Sequence, residues 1–428
     1  MAKSLTPQDC YALINAIAKE VTGQETTLQA VDSSSFVSVG EELWTYGTEN
    51  VLNAVSLVLG RTMIAVRPYK ATLNLINSID TGMFTDRIRK ISYYSRFALP
   101  SGEFNTNLYT NLANGFTNGQ NPDANDDPQS TKSQWEQNQA IPFERNFASQ
   151  NVWQFCITIY ENALKKAFRG EAEFNEFVSG IMTEHANDIE TQKEAFNRMI
   201  ILNFIAMVYD IKSYGPQAVN LTEEFNTEFG TEYTSAELRT TYLTDFMKFL
   251  TARIKLDSDK LVNRSKKAHW SPDITKGGVT YSLLRHTPKD KQRLLLHSPL
   301  MTKAQSYVFP EIFNPEYLKV ENYEGVMFWQ NEANPSKIDV IPAIPDVTGL
   351  THVQTAGDEV KLDYVVGLLY DVDAMMSNFQ LEEVRSTPVE ARKGYRNVWL
   401  SVSRGAISDP TENAILYYMA DPEVTPGE

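Results

Sequence analysis

The chain has few cysteines and no long apolar run. Only Cys10 and Cys156 occur among its 428 residues, and they lie far apart in the sequence. They indicate neither a disulfide framework nor a four-cysteine zinc site, and they fit synthesis in a reducing cytosol. The densest apolar stretch, residues 199–208, contains Asn203 and is too short to span a bilayer. The first residues, MAKSLTPQDC, lack the apolar segment of a signal peptide, so we do not expect them to act as one.

Positive charge is also scarce. The sequence has 39 Lys and Arg against 54 Asp and Glu, which gives a formal net charge of −15 at pH 7. Phosphate contacts need a surplus of basic side chains, so this composition argues against a general affinity for nucleic acid. The apolar fraction of 42% still suffices for a packed core, either in two or three domains or in one elongated body.

Motifs for catalysis and cofactor binding are missing. The segment 276–278 (Lys-Gly-Gly) lacks the ending that a phosphate-binding loop requires, so we expect no cofactor. His269, His286 and His297 lie close together in the sequence, and three histidines can form a catalytic metal set. Their spacing matches no defined ligand pattern, and ordinary loop or strand histidines explain them as well. A metal-dependent enzyme on a long-helix scaffold therefore stays open as an alternative function.

Residues 171–209 carry the strongest pattern in the chain. Apolar side chains recur there at the spacing of one helical face: Phe174, Phe177, Val178, Ile181, Met182, Ile189, Phe196, Met199 and Ile200. No proline interrupts the stretch, and Gly180 is its only internal glycine. At 1.5 Å per residue the predicted helix is roughly 57 Å long, which exceeds the diameter of a small domain. A strut of this kind favours a structural protein over an enzyme.

The segments around this helix differ in character. Residues 1–60 indicate an extended arm with short helices, and the alternative is an ordinary N-terminal helical subdomain. Residues 83–152 form an excursion whose tip, 112–134, is rich in glycine, asparagine and aspartate. An excursion of this length is either disordered or ordered by a neighbouring molecule. Residues 210–360 have the pattern of an α/β insertion, and β-prone segments follow from Tyr364 onward.

A series of short segments carries a resemblance to a known family. The segments are 35–40, 59–62, 66–69, 150–154, 157–160, 367–371, 387–389, 394–399 and 411–413, together with Phe174 and Phe177 of the predicted long helix. In this order they resemble the major capsid proteins of tailed bacteriophages, and they are most similar to those of short-tailed and crAss-like phages.

The resemblance implies an α+β chain with the Hong Kong 97-type capsid fold. Its parts would be an N-terminal arm (1–60), the first part of a peripheral domain (61–82), an extended loop (83–152), the peripheral domain with its spine helix (153–210), an axial domain (211–360), and the peripheral β-sheet with the C-terminus (361–428). The implied function is non-enzymatic self-assembly, as pentamers and hexamers, into the icosahedral or prolate head shell around double-stranded DNA. An encapsulin-like compartment shell of the same fold is a further alternative.

The same resemblance implies the partners and the location. The chain would bind other copies of itself, the portal, and possible scaffolding, cement or head-fibre proteins. Packaged DNA would meet the inner face of the shell without sequence-specific binding, and no membrane would be involved. The protein would be synthesised in the cytoplasm of a bacterial host and would end in the capsid of the virion.

Opposite charges on two of these parts suggest a contact between subunits. Arg87, Arg89 and Lys90 form a basic segment at the start of the extended loop. We predict that they meet carboxylates on a neighbour's spine helix, such as Glu173 and Glu176.

Overall fold

A computed structural model of the chain describes residues 7–23, 28–47, 49–55, 58, 73, 75–80, 88–94, 141–147, 151–210, 217–271, 274–276, 279–307, 323–344 and 355–421. These residues form both helices and sheets, so the predicted α+β class is confirmed. The tip of the predicted excursion, 112–134, and Arg87 lie outside the described residues.

Helices and strands are numbered in chain order. The described helices are α1 (Pro7–Thr22), α2 (Ser33–Leu43), α3 (49–55, with 58), α4 (Glu161–Ala167), α5 (Glu171–Asp210), α6 (Leu221–Phe229), α7 (Ser235–Leu238), α8 (Leu243–Leu261) and α9 (Ser298–Tyr307). The described strands are β1 (Asn77–Asp80), β2 (Ile88–Tyr93), β3 (Pro142–Phe147), β4 (Asn151–Tyr160), β5 (Ala218–Asn220), β6 (Ile274–Lys276), β7 (Val279–Tyr281), β8 (Gln292–His297), β9 (Tyr323–Val326), β10 (Ile338–Val340), β11 (Ala343–Ile344), β12 (Thr355–Ala356), β13 (Val360–Leu362), β14 (Tyr364–Asp371), β15 (Met375–Ser386), β16 (Tyr395–Ser408) and β17 (Ala414–Met419).

The long helix predicted from the sequence is confirmed as α5, with 40 residues. At 1.5 Å per residue it is about 60 Å long. Near its start Phe174 is buried among the N-terminal helices, and Ile189 packs against the sheet that contains β16. Residues 204–208 are all fully buried, in a core cluster that also contains residues of β14, β15 and β17. The helix therefore connects separate clusters of core residues along its length.

The N-terminal helices pack onto the first turns of α5. Asp32 caps α2 by accepting a hydrogen bond from the backbone N–H of Ser35 at 2.7 Å. The fully buried side chains of Ile14 and Phe36 belong to the same core cluster as Phe174, whose ring lies 5.5 Å from that of Phe36. The apolar faces of these helices are therefore covered within the chain. Their role as the N-terminal arm of a shell stays a prediction.

Two main sheets contact α5. The first has the order β1-β15-β16-β4, and the second has the order β5-β17-β14-β8-β9. The second sheet thus combines strands of the predicted insertion with β14 and β17. Within 361–428, β15 pairs with β16 and β16 pairs with β4, whereas β14 and β17 pair with each other and, through β14, with β8. The strands of this range thus divide between the two sheets, and its assignment to a peripheral domain stays a prediction.

Gly367 allows the close approach of β14 to β8. A Cβ atom at this position would lie 2.7 Å from the carbonyl oxygen of Leu295 and 2.5 Å from Cδ2 of Leu296. The pairing of β14 with β17 also shifts register between Val365 and Gly367. A glycine is therefore required here by packing.

Candidate functional site

In the pair of strands β2 and β3, strand β2 buries polar side chains and exposes apolar ones. Ser92 is 8% exposed, whereas Ile91 and Tyr93 on the opposite face are 47% and 63% exposed. A strand on the surface of a soluble domain normally has its apolar face toward the core. Neighbouring large apolar side chains on a surface mark places that another molecule covers. The face formed by Arg89, Ile91 and Tyr93, here called the outer hairpin face, is therefore a candidate docking surface.

Buried charges hold the other face of the hairpin in place. Lys90 Nζ lies 2.8 Å from Asp409 Oδ2 and 2.6 Å from Glu412 Oε1. Arg145, opposite Lys90 on β3, is fully buried, pairs with Asp409 and donates a hydrogen bond to Ser92 Oγ at 2.9 Å. Asp409 and Glu412 lie in the loop between β16 and β17. The contacts thus join the hairpin to the corner where the chain passes from one main sheet to the other.

Arg285 completes this charged cluster, which comprises Lys90, Arg145, Arg285, Asp409 and Glu412. Its guanidinium lies 3.3 Å from Glu412 Oε1 and donates a hydrogen bond to Ser92 Oγ at 2.8 Å. Burial opposes the ionisation of Asp409, but Lys90 and Arg145 outweigh it and hold the pKa of this carboxyl well below its usual range. Burial raises the pKa of Glu412. Asp409 is therefore the ionised centre of the cluster.

The predicted basic contact residues have different roles in the structure. The side chain of Arg89 is 56% exposed on the outer hairpin face and forms an ion pair with Glu144 of the same hairpin. Lys90 is engaged within its own chain by the charged cluster, so it anchors the hairpin. Arg87 lies outside the described residues. Of the three, Arg89 is the described residue whose position suits a contact with a neighbour.

The predicted acidic residues lie on the surface of α5. Glu173 and Glu176 are both exposed, and Glu173 lies in the first turn of the helix, where the positive end of the helix dipole favours carboxylates. Their contact with a neighbour's basic segment stays a prediction.

The three histidines of the alternative metal site have different surroundings. His269 is buried, with its ring nitrogens 3.1 Å from Asn413 Oδ1 and 2.9 Å from the carbonyl oxygen of Leu283. His297 is buried at the end of β8, and His286 is exposed. Within the described parts of the chain, no group of three or more potential metal ligands comes together.

Sequence reasoning missed Arg145 and Asp409, although they fix the hairpin. The sequence pattern places 142–147 inside the excursion and gives Asp409 no role. One signal was available. Arg145 alternates with Phe143 and Phe147 on β3, which is unusual for a charged residue on an apolar face.

Comparison with protein families identifies the class of protein to which the chain belongs. Residues 122–418 match the Phi29-like phage major capsid protein family, and this range spans well over half of the chain. The chain belongs to this family. It is accordingly a major capsid protein, a structural component that forms the head shell of a phage virion. The match gives no support to a metal-dependent enzyme or to an encapsulin-like compartment.

Comparison with solved structures gives matches to chains from phage particles. The capsid of Staphylococcus phage Andhra matches with a TM-score of 0.48 and 10% identity, over 82% of this chain and 85% of that one. A structure of the head fiber and inner core protein of bacteriophage P68 contains a chain that matches with a TM-score of 0.48 and 11% identity, over the same shares. No curated protein matches the sequence. Among the described helices, none has both the length and the apolar composition that crossing a bilayer requires.

Proposed function

We propose that this capsid protein assembles with the Hong Kong 97-type arrangement, as pentamers and hexamers of an icosahedral or prolate shell around double-stranded DNA. Its role is structural, without enzymatic activity. The portal, and scaffolding, cement or head-fibre proteins where the phage has them, complete the particle. The subunits are synthesised in the cytoplasm of the bacterial host.

The outer hairpin face is the observation that supports this proposal most directly. A free subunit leaves Ile91 and Tyr93 in water while buried ion pairs fix the opposite face of the same hairpin. The hairpin is therefore already positioned before assembly. Because binding does not have to order it, less conformational entropy opposes the contact.

Arg89 supplies the charge at this surface. Its ion pair with Glu144 is largely exposed and is therefore worth at most about 1 kcal/mol, so the guanidinium can exchange partners at little cost. A neighbour's α5 offers Glu173 and Glu176 on its exposed surface. We propose that Arg89 pairs with these carboxylates while Ile91 and Tyr93 pack beside them.

The net charge of −15 bears on the packaged DNA. An acidic inner wall repels phosphates, which allows the DNA to move during packaging without adhering to the shell. We propose that DNA contacts are non-specific and weak.

Charge reversal tests the hairpin contact. We expect Arg89→Glu to reduce the yield of shells and to make the remaining shells more sensitive to salt. Arg385→Glu is the matched control, because Arg385 forms an exposed ion pair with Glu383 on β15. Combining Arg89→Glu with Glu173→Lys and Glu176→Lys should restore assembly. If the two Arg variants assemble as well as the parent, the hairpin contact is wrong.

A further inference from the structure

A small cavity opens beside the start of β14, between α7 and α9. Its volume is about 170 Å³, and it is lined by Ala236, Arg239, Thr240, Leu300, Lys303 and Tyr364. Two cationic side chains and two hydroxyl-bearing side chains thus line the space together with the apolar Ala236 and Leu300. Such a lining suits a small oxyanion on a short apolar stem.

Arg239 is held in position for a ligand. Its Nε donates a hydrogen bond to the carbonyl oxygen of Ser235 at 2.8 Å, and its Cζ lies 4.0 Å from the centre of the Tyr364 ring. The guanidinium is therefore stacked and oriented before anything binds, which favours planar recognition of a carboxylate. Lys303, which also lines the cavity, is exposed. Neither cation pairs with a carboxylate in the described parts of a chain that has an excess of acidic residues.

His297 adds an independent observation next to this cavity. It is 2% exposed, and its ring meets that of Tyr364 edge-on at 5.5 Å. Neither ring nitrogen has a hydrogen-bond partner among the described residues. Burial lowers the pKa of His297 to about 4, and the positive charges of Arg239 and Lys303 add to the shift. Buried polar groups are rarely left unpaired, so the free subunit has unsatisfied polar groups as well as uncompensated positive charge here.

We propose that this cavity binds the side-chain carboxylate of an aspartate or glutamate from a second copy of the chain in the assembled shell. The inference rests on the proposed assembly, in which copies of one acidic chain meet. A carboxylate would compensate both cations and form a charge-assisted hydrogen bond with Arg239. A DNA phosphate is the less favourable ligand because the chain as a whole repels polyanions.

Paired substitutions test the carboxylate site. The double variant Arg239→Gln with Lys303→Gln removes both charges, whereas Arg239→Lys with Lys303→Arg retains them. Lys255→Gln with Lys267→Gln is the charge-matched control, because both lysines are exposed and away from the cavity lining. The measurement is the protein concentration needed for shell assembly, together with thermal unfolding of the unassembled subunit.

We expect the double glutamine variant to need at least about tenfold more protein to assemble, with the other two variants near the parent. The single variant Lys303→Glu provides a second test that does not disturb Arg239, and it should weaken assembly with unchanged unfolding. Normal assembly of both variants beside a shell-forming parent would overturn the carboxylate site and leave the shell function intact. Variants that assemble normally but package less DNA would identify phosphate as the ligand and overturn the inference too. A parent that forms no shell would contradict the proposed function itself.

Discussion

Replacing Asp409 by Asn removes the negative charge at the centre of the charged cluster while keeping the size of the side chain. Asp409 and Arg145 are both fully buried, so the variant leaves the Arg145 guanidinium in the interior without its main counter-charge. Removing one partner of a buried ion pair typically costs about 3–5 kcal/mol. We expect the free energy of unfolding of Asp409→Asn to fall by that amount.

The local hydrogen bonds indicate that this loss is electrostatic. Asp409 Oδ1 accepts hydrogen bonds from the backbone N–H and the Oγ1 of Thr411, at 3.1 and 2.8 Å. The amide oxygen of an asparagine can still accept both. The ion pairs with Arg145 and Lys90 are what the substitution removes, so the hairpin is the part of the fold that it releases.

Urea unfolding of the unassembled subunit measures the energy, and limited proteolysis at β2 and β3 measures the release of the hairpin. Glu144→Gln is the control, because it breaks the exposed pair with Arg89 and should cost less than about 1 kcal/mol.

The lowered pKa of Asp409 means that its contribution to stability is fully present above the ordinary carboxyl pKa of about 4 and is lost only as the pH falls below it. The difference between Asp409→Asn and the parent should therefore be constant from about pH 5 to 8. A loss no larger than that of the control would refute the anchoring role.

Three further predictions concern other parts of the fold. The pKa of His297 is about 4 in the folded chain, below its ordinary value of 6.5, so the unfolded chain binds the proton at a higher pH than the folded chain does. The free energy of unfolding should therefore fall by roughly 3 kcal/mol between pH 6.5 and 4. His297→Phe should flatten this part of a thermal-unfolding pH profile. Phe174→Ala should lower the free energy of unfolding in urea by about 3–5 kcal/mol, because Phe174 is buried. Met199→Ala should lower it by less than about 0.5 kcal/mol, because Met199 is 45% exposed. Equal losses would contradict the packing of the N-terminal helices on α5. Gly367→Ala should lower the free energy of unfolding by about 1–3 kcal/mol, because the new Cβ meets a backbone carbonyl oxygen. Gly170→Ala is the control, because the neighbour there is a flexible carboxylate that can move away. A Gly170→Ala variant as unstable as Gly367→Ala would refute this reasoning.

Sequence patterns predicted a helix or strand well where the spacing of apolar side chains along one segment determines it. The apolar period of 171–209 predicted α5 to within one residue at its end, and the apolar run 414–419 coincides with β17. Both signals arise from neighbours in the sequence. The pairing of the strands cannot be predicted in this way, because β14, β16 and β17 are similar apolar segments. Contacts between residues far apart in the sequence decide that β16 pairs with β4 and β14 with β8.

The site was predictable only in part for the same reason. The charge of the basic segment at β2 suggests a contact with a neighbour, and its Arg89 does lie on an exposed face. The alternation of Lys90 and Ser92 with Ile91 and Tyr93 would ordinarily place the apolar side chains inward. The structure reverses this because Asp409 and Glu412, more than 300 residues away, supply the charges that make the polar face the buried one. No local pattern in β2 carries that information.

The central claim is that the outer hairpin face joins one subunit to the next in a closed shell. Cryo-electron microscopy of particles assembled from the expressed protein tests it most directly. We predict closed shells built of pentamers and hexamers, with Arg89, Ile91 and Tyr93 of one subunit covered by the exposed side of a neighbour's α5 around Glu173 and Glu176. Shells in which the outer hairpin face stays in solvent, or a protein that forms no shell under any condition, would contradict the account.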